Sequence, residues 1–237
     1  MSNDYFQFKQ FTIQQDKCAM KVGTDGVLLG AWSDVEKAGR ILDVGTGTGL
    51  IAIMLAQRCN AHIDAIEIDE QACKQAVKNA GECPWHERIN IYNISFQEYF
   101  TDNIPQYDLI VCNPPYFSNS LKAPDERRSI ARHNDHFPFD DFFLQCRNNL
   151  TKNGKLAIII PILDLDEKIK LGEENNLLVC RKTIIYPVLN KKPVRYLLEY
   201  SKLSDVLQED HLVIESSERH NYTTEYKELT KGFYLAF

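Results

Sequence analysis

The sequence contains no Cys-x-x-Cys pair, although it has seven cysteines. Scattered singly and odd in number, they form neither a disulfide framework nor a zinc-type pattern, and reduced thiols in a cytosolic protein are expected. No apolar run approaches the roughly 20 residues that cross a bilayer, so no membrane association is expected. The first fifteen residues are polar and aromatic and hold no signal-peptide h-region. Basic excess is missing as well: 27 Lys and Arg stand against 33 Asp and Glu, a net charge of −6. Any nucleic-acid partner must therefore be held by local basic patches. Internal repeats, linkers and low-complexity stretches are also lacking. What is left is an ordinary globular composition, 44% hydrophobic and 25% charged, over 237 residues. That length suits one α/β domain with short additions.

The stretch Asp108-Leu-Ile-Val-Cys-Asn-Pro-Pro-Tyr116 organises the chain. Its apolar run predicts a short buried strand that stops at Asn113, because two prolines forbid further ladder pairing. Cys112 fits a small buried apolar position better than a nucleophile. The strand end offers the amide oxygen of Asn113, the carbonyl of Pro114 and the ring of Tyr116, flanked by Pro115. Two acceptors and a flat ring suit a planar amino group. The alternative is a Pro-Pro turn capped by a core tyrosine. Asn-Pro-Pro-Tyr resembles the motif of S-adenosylmethionine-dependent methyltransferases that act on amino nitrogens of adenine, cytosine or glutamine.

Upstream, Tyr5, Phe6, Phe8 and Phe11 alternate with polar residues, as in a half-buried strand. Thr24 or Asp25 is positioned to cap a helix running to Trp32. Arg40-Ile-Leu-Asp-Val-Gly-Thr-Gly-Thr-Gly49 then predicts a strand, a tight turn at Gly45, Gly47 and Gly49, and an apolar helix over 50–58. Such a turn lets backbone N–H groups approach a ligand closely. A dinucleotide fingerprint wants Gly or Ala where Leu50 stands, which disfavours nicotinamide chemistry. Asp43 ahead of the first glycine instead resembles the cofactor turn of class I methyltransferases. The next strand, 62–67, ends at Glu67, close to the spacing at which a carboxylate bonds both ribose hydroxyls. Asp69 reads as the cap of the following helix.

A third strand begins at Arg88 and ends near Ser95. Related methyltransferases usually carry Asp there to hold the cofactor's adenine amino group, so this chain leaves that contact to Ser95 and the Phe96 backbone. Residues 117–138 are long for a loop and carry Lys122, Arg127, Arg128, Arg132, His133 and His136, candidates for substrate contact set against a solvated charge run. The two histidines lack a third ligand, so no metal site is expected. A helix over 139–150 is expected to stop at Asn153-Gly154. Strands over 155–160, 177–186 and 194–200 follow, with Lys191, Lys192 and Arg195 as a second basic cluster or a plain hairpin tip. Residues 212–215 suggest a short edge strand.

Nearly the whole chain resembles the bacterial tRNA (adenine-N6)-methyltransferases that modify adenosine 37 of valine tRNA. Asp16-Lys-Cys-Ala-Met-Lys-Val-Gly-Thr-Asp-Gly-Val-Leu-Leu-Gly-Ala-Trp32 carries that resemblance, with Asp43-Val-Gly-Thr-Gly-Thr-Gly49, Asn113-Pro-Pro-Tyr116 and the closing stretch Asn221 to Tyr234. It implies a doubly wound, mostly parallel seven-stranded sheet with helices on both faces. It also implies an N-terminal arm, residues 1–32, closing over the site of a methyltransferase domain, residues 33–237. S-adenosylmethionine would lie on Asp43, Gly45, Gly47, Gly49, Glu67, Ser95, Phe96 and Asn113, with Lys21 and Thr24 from the arm. Asn113, Pro114 and Tyr116 would present the amino group, and Pro115 with the basic residues would meet the tRNA anticodon loop, with no obligate protein partner. The competing readings are a protein glutamine-N5 methyltransferase, whose motif lacks the N-terminal stretch, and an RNA-binding module that has lost catalysis.

Overall fold

The computed structural model describes residues 3–18, 20–101, 104–115, 137–203, 206–217 and 219–237. An antiparallel hairpin, β1 (Tyr5–Gln7) and β2 (Thr12–Gln14), begins the chain. Helix α1 (Thr24–Trp32) follows, and is buried from Gly26 to Trp32. Its cap is Gly23, with no side-chain bond, so the expected cap at Thr24 or Asp25 falls one or two residues late.

The main sheet has eight strands: β3 (Arg40–Val44), β4 (His62–Glu67), β5 (Ile89–Asn93), β6 (Tyr107–Cys112), β7 (Leu150–Pro161), β8 (Leu178–Val188), β9 (Arg195–Ser201) and β10 (Gln208–Glu215). Their order is β10-β8-β9-β7-β6-β3-β4-β5. All run parallel except β9, which is antiparallel to both neighbours. Helices α2 (Leu50–Arg58), α3 (Glu70–Gly81), α4 (Phe96–Tyr99), α5 (Phe139–Asn149), α6 (Leu165–Glu174) and α7 (Thr224–Thr230) connect or flank the strands. Side-chain alternation along each strand feeds two cores. Ile41, Ile63, Leu109, Val111, Ile159 and Leu197 face α1 and α2. Leu42, Ile66, Ile110, Leu156, Ile158 and Leu198 face the opposite layer with Phe142 and Phe143.

Two expectations are corrected. The sheet has eight strands rather than seven, because β10 is a full strand starting at Gln208. Its first four residues are polar and exposed, which blunts a sheet edge and hides the strand from a hydrophobic pattern. Asn153-Gly154 is no helix stop: α5 ends at Asn149, and both residues lie within β7 where its register against β6 shifts between Tyr107 and Leu109. A Cβ on Gly154 would sit 2.7 Å from the Tyr107 carbonyl, so glycine marks a close backbone approach.

Gly172 is equally constrained. An added Cβ would lie 2.6 Å from both the Leu177 carbonyl and the buried Tyr200 ring. Gly172→Ala is expected to cost about 1–3 kcal/mol by overpacking. In thermal unfolding it should lower Tm by roughly 2–12 °C at this chain length. An unchanged Tm would show that the helix can shift off Tyr200.

The chain winds outward from β3 through β4 to β5, then returns to β6 on the other side of β3. That reversal opens a crevice at the carboxyl ends of β3 and β6, where open α/β sheets bind ligands.

Candidate active site

Three strand ends meet at the crevice. The turn after β3 carries Gly45, Gly47 and Gly49 at φ of +72°, +58° and +82°, a region that disfavours other residues. A Cβ on Gly45 or Gly47 would meet nothing within 4 Å. The turn therefore presents bare backbone to open space, whereas a Cβ on Gly49 would lie 3.4 Å from Ala76 of α3.

Asp43 holds this turn from below. Its Oδ2 accepts from the Thr46 hydroxyl at 2.6 Å and the Ala52 N–H at 3.1 Å. The Gly45 and Thr46 N–H groups both donate to the Ile66 carbonyl at 3.0 Å. The Asp43 side chain is fully buried, and Oδ1 has no partner among the described residues. Burial pushes its carboxyl up to about 7; the bonds from Thr46 and Ala52 oppose this and the nearby Glu67 charge adds to it.

A folded pKa above the unfolded value near 4 means that the native state retains a proton the unfolded chain has lost. This contribution is complete below about 4 and disappears as pH rises through about 7. Wild-type stability should therefore fall over that window relative to Asp43→Asn, which has no carboxyl to titrate. Denaturant unfolding of both proteins at pH 5 and pH 8 measures the difference, and an identical pH response would refute it.

Glu67, at the end of β4, closes the turn's rim. Its Oε2 accepts the Gly47 N–H at 2.8 Å, and Oε1 accepts the Asp69 N–H at 2.9 Å. Burial raises its pKa, against these backbone bonds. Each carboxylate oxygen retains acceptor capacity for a hydroxyl. Asp69 caps α3 through the Ala72 N–H, as expected.

Asn113 stands at the end of β6 beside α1. Its Oδ1 is buried and without a hydrogen-bond partner among the described residues. A Cβ on Gly26 would lie 3.1 Å from Leu50 and 4.0 Å from the Asn113 Nδ2, so glycine lets the first turn of α1 pack closely on Leu50 beside the amide. Pro114 is buried and Pro115 exposed. Cys112 is buried and its thiol pKa is pushed well up by burial, which fits a core position.

The remaining candidates divide. Arg195 reaches the crevice rim, where its Nε donates to Asp25 Oδ2 at 2.9 Å. Lys191 and Lys192 are exposed in the turn between β8 and β9, at the carboxyl end of β8. Thr24 is exposed in the first turn of α1. Lys21 turns away along the arm, donating to the Asn3 carbonyl at 3.1 Å. Ser95 is occupied: it caps α4 in a reciprocal box with Glu98. Phe96 packs its ring on Phe137 and Phe142, leaving its backbone for any ligand contact. Tyr116, Arg127, Arg128, Arg132 and His133 lie outside the described residues.

Sequence reading missed Gly26 at the rim, the pairing of Asp25 with Arg195, and Gln75 and Asn79, which fasten the arm to α3. Gly26 left a signal, a glycine in an otherwise apolar helix start. Gln75 and Asn79 left none, since polar residues on a half-exposed helix are ordinary. Among the described residues no group of three or more His, Cys, Asp or Glu is placed to hold a metal ion, and no helix is long and apolar enough to cross a membrane.

The sequence model of the methyltransferase small domain matches residues 21–170. A relative from Parabacteroides distasonis is 48% identical over 236 residues, 99% of each chain, and is named tRNA1(Val) (adenine(37)-N6)-methyltransferase. Relatives from Bacteroides fragilis and Flavobacterium psychrophilum carry the same name at 45% identity, with 99% and 97% of this chain covered and 99% of each relative. The chain belongs to this methyltransferase family. Solved structures agree on the fold. A predicted O-methyltransferase from Agrobacterium tumefaciens superposes with TM-score 0.69 at 20% identity, covering 88% of this chain and 96% of its own. The ribosomal protein L11 methylase from Lactobacillus delbrueckii gives 0.57 at 20% identity, covering 79% and 82%.

As a member of the family, the enzyme uses S-adenosylmethionine. The crevice fits that cofactor on its own geometry: bare glycine backbone faces open space and Glu67 stands at the rim with acceptor capacity to spare.

Proposed function

We propose that the crevice methylates the exocyclic N6 of adenosine 37 in the anticodon loop of valine tRNA, in the cytoplasm, and that Asn113 presents the amino group. The buried, unpartnered Asn113 Oδ1 carries this reading. A buried acceptor without a donor is costly, and an adenine N–H supplies the missing donor.

Asp43, Gly45, Gly47, Gly49 and Glu67 would hold the cofactor, the glycines by close backbone approach and Glu67 at the ribose hydroxyls. When bound, S-adenosylmethionine supplies an electrophilic methyl group on a sulfonium. The chain's task is to prepare the nucleophile. The adenine amino nitrogen is weak because its lone pair is delocalised into the ring. Accepting its two N–H bonds at Asn113 Oδ1 and the Pro114 carbonyl localises the lone pair and fixes its direction. That is orientation plus electrostatic complementarity, without a covalent intermediate. The methylated nitrogen is strongly acidic, so its proton can pass to solvent afterwards.

The base must leave the loop stack, at a cost of a few kcal/mol. Stacking on Tyr116 would return about 1–3 kcal/mol of it. The arm of residues 1–32, with Thr24 near the rim and Lys21 bracing the arm on Asn3, would close over the site. Arg195, Lys191 and Lys192 would meet backbone phosphate, as would Arg127, Arg128, Arg132 and His133. With a net charge of −6, this contact should be salt-sensitive.

The test is transfer of labelled methyl to unmodified tRNA, followed by digestion to nucleosides and mapping of the modified position. Label in N6-methyladenosine at position 37 of valine tRNA is the expected result. Label on protein glutamine, with none in RNA, would overturn the reading.

A further inference from the structure

Asn79 on α3 is 1% exposed, and its side chain joins two segments far from it in sequence. Oδ1 accepts the Gln14 N–H at 2.9 Å. Nδ2 donates to the Gln14 carbonyl at 2.9 Å and to the Thr48 carbonyl at 2.8 Å. Gln14 ends β2 in the arm, while Thr48 lies between Gly47 and Gly49 in the cofactor turn.

One helical turn earlier, Gln75 works only on the arm. It accepts the Lys17 N–H at 3.2 Å and donates to Asp16 at 2.6 Å. Between these two, Ala76 packs against Gly49. One face of α3 thus supports the arm and the turn together, as residues three and four apart on a helix do.

The two contacts of Asn79 are not independent. Undocking the arm strips two partners from a buried amide, and the amide must then move to find others. Moving it releases the Thr48 carbonyl. That peptide plane helps hold Gly49 at φ +82°, so the turn loses its shape.

We propose that Asn79 is a positioning residue that couples docking of the arm to the cofactor turn, so that S-adenosylmethionine tightens the arm and the docked arm tightens S-adenosylmethionine. The two effects are one free energy seen from either end. This rests on the cofactor site and not on the RNA target, so its test uses no tRNA for the deciding measurement.

Hydrogen exchange of peptides covering residues 10–18 is measured in the full chain with and without S-adenosylmethionine, alongside calorimetric Kd. In wild type the cofactor should slow arm exchange about tenfold, within the usual range of coupling between sites. In Asn79→Ala the arm should exchange fast with or without cofactor. Its Kd should rise about tenfold, as expected when a buried hydrogen-bonded group is lost. Turnover at saturating cofactor should fall less than cofactor affinity, since the contact removed lies behind the cofactor turn. A residue that only stabilises the fold would lower Tm without abolishing cofactor-dependent protection. Arm exchange in wild type that ignores the cofactor would overturn the proposal, even if Asn79→Ala fails to fold. So would Asn79→Ala that retains full protection and Kd.

Discussion

Asn113→Ala is expected to lower turnover about 10²–10³-fold, the effect of removing one group that stabilises a transition state in a closed site. The cofactor Kd should stay within about threefold, because the bonds that shape the cofactor turn run through Asp43, Ile66, Glu67 and Asn79 and uniform binding is left in place. Asn113 Oδ1 is buried and without a partner among the described residues. A buried acceptor without a donor opposes folding, so its loss should not lower Tm. Single-turnover methyl transfer, with separate cofactor titration, distinguishes the cases. Equal losses in turnover and cofactor affinity would assign Asn113 to the cofactor instead. A large loss in Tm with parallel loss of both would make it a structural residue.

Glu67→Ala should produce the opposite split. The carboxylate accepts the Gly47 and Asp69 N–H groups, and it faces the position proposed for the ribose hydroxyls. Hydrogen bonds to a charged group are each worth about 1.5–3 kcal/mol. Losing the ribose contacts and loosening Gly47 should weaken S-adenosylmethionine binding roughly 10²-fold. Turnover at saturating cofactor should fall much less, and tRNA affinity should not change. Glu67→Gln, which keeps one acceptor, should be intermediate. Calorimetry on the three proteins reads the series. A Glu67→Ala protein that binds the cofactor normally would remove Glu67 from the site.

The sequence exposed those parts of the site whose chemistry is local. Gly45, Gly47 and Gly49 are required by positive φ in a turn between a strand and a helix, and spacing alone reveals that. Glu67 follows a buried strand of the right length. Asn113 is fixed where two prolines halt β6. Short apolar runs likewise predict β3, β4 and β6 close to their observed bounds.

Where reading failed, the deciding contacts are long-range. Asn153-Gly154 has the composition of a helix stop, but the glycine serves a close approach to the Tyr107 carbonyl. The polar half of β10 is a strand only because β8 lies beside it.

The sequence by itself determined the glycine turn between a strand and a helix, the acidic strand end and the amide at residue 113, since each follows from backbone sterics or hydrophobic pattern within a short window, while the doubly wound order came with the family resemblance. Only the tertiary structure decided that Gly26 lies beside Asn113, that Asp25 holds Arg195, and that Asn79 joins Gln14 to Thr48. Those contacts cross up to 170 residues. They form because a buried amide or carboxylate takes whatever partner the packed sheet brings within reach, and no local pattern encodes that partner.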